Sequence, residues 1–277
     1  MMPTIHRLPP EILVELFSIL LPKGIELPGW FTTSLWGLAS VCQKWRNVIF
    51  STPCLWSQFK IIVPEAPRPS FITALQLLLE RSGDYPLTFV LCVGGKVPQW
   101  SFQEVLSCFL KRAGQWKDVL LTFRLSLLTG CTDLQELCFP QLRLFGICLC
   151  DTSVEPHWQF PPPLQLFPHS PLLSQLILLD FDCPPSSLHL PWDQITHLEY
   201  HGNVEWLLDI LEHTPNLSVL KFDGNSRSRN LLRAEDAGGS SSPTFPFTGA
   251  CLALSIHFRL VPLLQSYLDA PVNTFYP

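Results

Sequence analysis

Charge is scarce in this 277-residue chain: Asp, Glu, Lys and Arg make up 15% of it, against 47% apolar residues. That balance excludes a disordered chain and permits a substantial core. A basic excess is also missing. The net charge is −5, which makes nucleic acid and anionic membrane surfaces poor partners. No window of about eighteen residues, the length a membrane span needs, is purely apolar. The nearest, Cys251–Leu268, carries His257, Arg259, Pro262 and Gln265. The ten cysteines form no C-x-x-C pair and no regular framework. Met1–Arg7 leads into a proline-started helix without a secretory signal. The expectation is a cytoplasmic or nuclear chain whose thiols are reduced and buried.

Catalytic signatures are equally thin. There is no nucleophile elbow of the G-x-S-x-G type. Gly94-Gly95-Lys96 lacks the glycine spacing and following Ser/Thr of a phosphate loop. His197 and His201 share a strand face but lie about 13 Å apart, and Cys148 and Cys150 about 7 Å apart. A zinc site needs three or four convergent ligands. Asp209 and His213 are four apart on a helix, the spacing of a solvated face. No metal, cofactor or bond chemistry is therefore expected. A Ser/His/Asp or Cys/His site assembled in space leaves no such trace, so an enzyme stays an alternative.

The informative residues lie in the first sixty. Pro9 and Pro10 suit a first helical turn, where a missing N–H costs nothing, and Glu11 suits the positive end of the dipole. Ile12, Leu13, Leu16, Phe17, Ile19 and Leu20 follow at steps of one, three and four. They predict a helix with a wide apolar stripe, ended by Leu21-Pro22-Lys23-Gly24. Thr32, Thr33 and Ser34 are caps for a second helix. In it Leu35, Leu38, Val41, Cys42, Trp45, Val48 and Ile49 line one side, with Gln43, Lys44, Arg46 and Asn47 opposite. Ser51-Thr52-Pro53 breaks the helix, and Leu55-Trp56 forms an anchoring turn. A bundle of about fifty residues is marginal without a partner or an attached core.

Leu8-Pro9-x-Glu11, the Leu13/Leu16/Phe17 set, Val41-Cys42-x-x-Trp45-Arg46 and Leu55-Trp56 occur in the order of the F-box motif. Residues 5 to about 60 resemble the F-box-like domains of the expanded families of mushroom-forming (basidiomycete) fungi. The resemblance implies a three-helix unit that docks on a Skp-type adaptor and through it joins a cullin–RING ubiquitin ligase. It implies adaptor contacts at Leu8, Pro9, Glu11, Leu13, Leu16, Phe17, Leu38, Val41, Cys42 and Trp45. Val41 and Trp45 are equally suited to holding the helices together. The connection 22–34 is longer than in the family pattern, with Trp30 and Phe31 placed either to pack back or to widen the contact.

Beyond the head, IIVPEAPRPS at 61–70 begins as a strand and becomes a proline-rich connector. An echo follows at 31 residues: helix Phe71–Glu80, a turn at Gly83 and strand Leu87–Leu91, then helix Phe102–Leu110, Gly114 and strand Val119–Phe123. Gly83 and Gly114 are expected at positive φ, and Ser101 with Glu104 reads as a capping box. Further on, an L-x-x-L-x-L spacing marks short strands after Leu142, Leu173, Ile195 and Leu217, the last three 22 residues apart. This spacing looks like leucine-rich repeats of irregular length, in which stacked strands share one core. Val204–His213 reads as a helix, Asp151–Leu172 as a long loop, and Leu134–Phe139 as a helix or turn.

The expected fold class is α+β: a small N-terminal three-helix F-box bundle (1–62) followed by an α/β leucine-rich-repeat-like solenoid (63–225). A Gly/Ser/Pro linker (226–248) and a C-terminal segment (249–277), a possible cap, complete the chain. The resemblance implies the substrate-recruiting subunit of a ubiquitin ligase. Its alternative is a repeat scaffold with no ubiquitin link. Tyr200, His201, Lys221 and Asp223, with Asp180 and Asp182, are the candidate target-binding residues, because they fall on or just past strand ends.

Overall fold

The computed structural model describes residues 8–20, 25–27, 35–94, 97–124, 127, 137–149, 164–165, 167, 169–181, 184–185 and 188–224. Trp30, Phe31, the caps Thr32, Thr33 and Ser34, Asp182, the 226–248 linker and the 249–277 segment lie outside the described residues, as does most of the Asp151–Leu172 loop. The described residues fall in two compact units, one up to Thr122 and the other from Phe123.

The first unit opens with helix α1 (Pro10–Leu20), strand β1 (Ile25–Leu27), α2 (Leu35–Val41), α3 (Gln43–Phe50) and a 3-10 turn at Pro53–Trp56. Helix α1 starts at Pro10 and carries Glu11 in its first turn, as its sequence predicts. The single second helix expected from Leu35 to Ile49 is instead two. Cys42 is extended, at φ −161° and ψ 167°, and begins α3. A straight helix would hold Leu38, Val41, Cys42 and Trp45 on one stripe. The break turns α3 so that Trp45 meets Phe17, ring centroids 5.0 Å apart and edge to face. Arg46 lies past the break and its Nε donates to the Ala39 carbonyl of α2 at 3.1 Å. A carbonyl orphaned at the helix end is thereby satisfied.

The connection between α1 and α2 contributes β1, which the sequence pattern did not reveal. It pairs in parallel with β2 (Gln58–Val63), Ile25 against Phe59 and Leu27 against Ile61. Then come α4 (Pro69–Arg81), β3 (Leu87–Val93), α5 (Gln99–Leu110) and β4 (Trp116–Phe123). Strands β1, β2, β3 and β4 lie in that order, and all their pairings are parallel. Gln58 pairs with Thr88 and Thr88 with Asp118, so the strands repeat every 30 residues.

The repeat therefore starts one unit earlier than the 31-residue echo suggested. Helices α3, α4 and α5 each precede one of the strands β2, β3 and β4. Ile49, Leu79 and Phe109, 30 residues apart, are all buried. Trp56 Nε1 donates to the Ile49 carbonyl at 2.7 Å, and Trp116 Nε1 donates to the Phe109 carbonyl at 3.1 Å. The third helix of the head is thus also the helix of the first repeat. The core between helices and sheet is aromatic, with Phe89 stacked on Phe109 at 4.3 Å and edge-on to Trp116 at 5.1 Å.

Two local expectations need correction. Gly83 has φ +54°, but among the described glycines it alone takes a positive φ. Gly114 instead lies in a 3-10 turn at Ala113–Gln115. Ser101 and Glu104 do not form a capping box. Helix α5 begins after Pro98, and Ser101, inside it, donates to the Glu65 carbonyl at 3.1 Å. A proline before the first turn moves the helix start upstream of the serine.

The second unit has β5 (Leu144–Leu149), β6 (Leu164–Gln165), β7 (Gln175–Phe181), β8 (Leu188–His189), β9 (His197–Gly202), α6 (Val204–His213) and β10 (Val219–Gly224). Strands β5, β7, β9 and β10 pair in parallel in that order, and β6 pairs with β8. Gln175, His197 and Val219 stand in register, which is the 22-residue period of the sequence. Ser218 N donates to Thr196 O at 2.8 Å and Thr196 N to Ser174 O at 2.9 Å. The hydroxyls of Thr196 and Ser218 add bonds to the same two carbonyls. Leu176, Leu178, Leu198 and Tyr200 are the buried side of these strands. The described end of Leu134–Phe139 is extended and not helical: Cys138 bridges to His169, and Phe139 packs edge-on against Phe167 at 4.8 Å. These are the N-terminal helices and parallel α/β arrangement of the expected fold class.

Candidate functional site

The apolar stripe of α1 is too wide to be covered by the helices beside it, and burial divides it in two. Leu13 and Phe17, four apart, are sealed at 0% and 1% exposure. Ile12, Leu16, Ile19 and Leu20 form the adjoining stripe, with exposures of 43%, 36%, 72% and 61%. On α2 Val41, the last helical residue before the break at Cys42, is 58% exposed. Exposed apolar residues scattered singly are ordinary; here four fall along one helix. Glu11 and Glu15 are exposed on the same helix.

Behind this stripe the head is held by specific contacts. Phe17 meets Trp45, and Leu13 is fully enclosed. Lys44 Nζ donates to the Leu8 carbonyl at 2.6 Å, tying the segment that leads into α1 to α3. Trp45 Nε1 is buried and makes no hydrogen bond. Of the ten residues proposed for adaptor contact, Pro9, Glu11, Leu16 and Val41 are exposed, and Leu8, Leu38, Cys42 and Trp45 are half-buried. Leu13 and Phe17 face inward. Ile12, Ile19 and Leu20 were not among the ten. Their signal was the stripe's width, seven apolar residues on an eleven-residue helix once Val14 is included.

The second predicted set is split in the same way. Tyr200 is 1% exposed and stacks on Phe222 at 6.0 Å, so its ring lies in the core of the strands. His201, Lys221 and Asp223 are reachable from solvent. His201 Nδ1 lies 2.7 Å from Asp180 Oδ1, and Lys221 Nζ lies 3.3 Å from Glu199 Oε2. Asp180 has φ +49°, at a register shift between β7 and β9. The sequence placed Asp180 and His201 at strand ends but not against each other, since the shift is a property of the pairing.

No helix among the described residues is long and apolar enough to cross a membrane. Neither a curated protein nor a solved structure matches the chain. Residues 5–61 match the model of the F-box-like family. The interval spans α1, β1, α2, α3 and the Pro53–Trp56 turn, so this chain carries an F-box-like domain followed by parallel-stranded α/β repeats.

Proposed function

We propose that the chain is a substrate-recruiting subunit of a Skp–cullin–F-box ubiquitin ligase. The observation that carries this is the open apolar stripe on α1 within the family match. Ile12, Leu16, Ile19 and Leu20, with Val41, form the surface that a Skp-type adaptor covers. Leu8, Pro9, Glu11, Leu38, Cys42 and Trp45 surround or underlie it, while Leu13 and Phe17 support it from within. His201, Lys221 and Asp223 contribute to target recognition on the strands of the second unit. The protein performs no bond chemistry itself. It holds a target near a ubiquitin-charged enzyme, raising the effective concentration of the reacting groups. Such a role places it in the cytoplasm or nucleus.

Co-purification with a Skp-type adaptor tests this reading. The wild-type chain should retain the adaptor, whereas Leu16→Asp and Ile19→Asp should lose it with an unchanged circular dichroism spectrum and melting temperature. A wild-type chain that retains no adaptor, while its strands stay folded, returns the reading to a repeat scaffold without a ubiquitin link.

A further inference from the structure

Arg81, at the last turn of α4, lies outside the F-box-like match. Its guanidinium nonetheless reaches back into the head. The Cζ atom is 4.3 Å from the Phe50 ring centroid, 5.1 Å from Trp56 and 5.8 Å from Trp36. The three rings also touch one another: Phe50 and Trp56 stack at 5.7 Å, and Trp36 stands edge-on to both at 5.4 and 5.6 Å. They come from three elements, Trp36 from α2, Phe50 from α3 and Trp56 from the turn. The Arg81 Nε is buried and has no hydrogen-bond partner. A cation attracted by ring faces needs none, and a planar guanidinium offers two faces where an ammonium offers a point charge.

The next repeat also reaches back. Arg112, just past α5 and one position beyond the 30-residue counterpart of Arg81, has its Nη1 3.5 Å from the Gly83 carbonyl of the preceding repeat. Arg81 likewise makes a backward contact, to the head, with aromatic rings in place of a carbonyl. We propose that Arg81 is a positioning residue for the docking face. By gathering Trp36, Phe50 and Trp56, it sets α2 against α3 across the break at Cys42, and so fixes where Val41 stands relative to the stripe on α1. This rests on the adaptor reading above.

The test uses the full chain with Arg81→Met and Arg81→Lys. Hydrogen–deuterium exchange of the free protein and adaptor affinity are measured on each. Arg81→Met should speed exchange in residues 35–50 while leaving 99–123 protected. It should also weaken adaptor binding about tenfold, and Arg81→Lys should recover part of both. Three results overturn the proposal: unchanged exchange in 35–50, uniform loss of protection through 58–123, or faster exchange in 35–50 with unaltered affinity. A wild-type chain that binds no adaptor instead sinks the functional reading, and the exchange arm still reports whether Arg81 orders α2 and α3.

Discussion

Phe17 and Ile19 are two positions apart on α1, and their side chains meet opposite fates. Phe17 is sealed against Trp45, so Phe17→Ala should destabilise the first unit by about 3–5 kcal/mol, read as a shift in denaturant midpoint. Ile19 projects into solvent, so Ile19→Asp should change stability by less than about 0.5 kcal/mol while abolishing adaptor capture. Gly83 and Gly114 divide similarly. At φ +54° an alanine at 83 is strained, although its Cβ would meet Pro53 atoms only at 3.8 Å. Gly83→Ala should cost about 1–2 kcal/mol, whereas Gly114→Ala, which meets nothing within 4 Å, should be neutral or stabilising by about 0.5 kcal/mol. Thermal melts of the two variants check the difference. Burial pushes the Cys108 thiol above its usual range, and Lys111 opposes this only in part. The unfolded thiol then ionises first. Stability from this group is intact below the thiol's ordinary value of 9.0 and falls as pH rises past it. A pH series of melts on wild type and Cys108→Ser should show a steeper alkaline loss in the wild type.

At the scale of elements, period and punctuation made most helices and strands readable. Helix α1 declares its start through Pro9, Pro10 and Glu11. Helix α6 is legible from its apolar spacing, and the structure adds its cap, Asn203, whose side chain accepts from Glu205 N at 2.9 Å. Asn203→Ala should therefore cost about 1 kcal/mol, measurable as a lower melting temperature for the second unit. The break between α2 and α3 was not readable, because Val41-Cys42 continues the three- and four-residue steps without a proline or glycine. Nothing local ends that helix. Trp45 packing on Phe17 and Arg46 bonding to Ala39 do, and both are contacts between elements. Strand β1 was hidden for a related reason. Ile25-Glu26-Leu27 is too short to show a period, and only its pairing with β2 makes it a strand. Replacing these three residues by Gly-Ser-Gly should loosen the edge of β2, seen as faster amide exchange in residues 58–63.

Across the molecule, the shared helix α3 makes the head inseparable from the strands that follow. Trp56 bonds to Ile49, Ser57 accepts from Thr88 N at 2.9 Å, and Arg81 closes over the head's aromatic rings. A fragment ending at residue 62 keeps the Trp56–Ile49 bond but leaves Thr88 and Arg81 behind. It should lack a cooperative melt, whereas the full chain should show one for residues 35–123. Local patterns were enough to declare the head's family, the parallel strands and the 22-residue period, because backbone periodicity and capping depend on residues a few positions apart. Which half of the α1 stripe stays wet, where the second helix snaps, and which rings receive Arg81 were settled by folding alone. Those outcomes depend on contacts between separate elements, such as Phe17 with Trp45 and Arg81 with Trp56, which a pattern confined to one helix or strand does not contain.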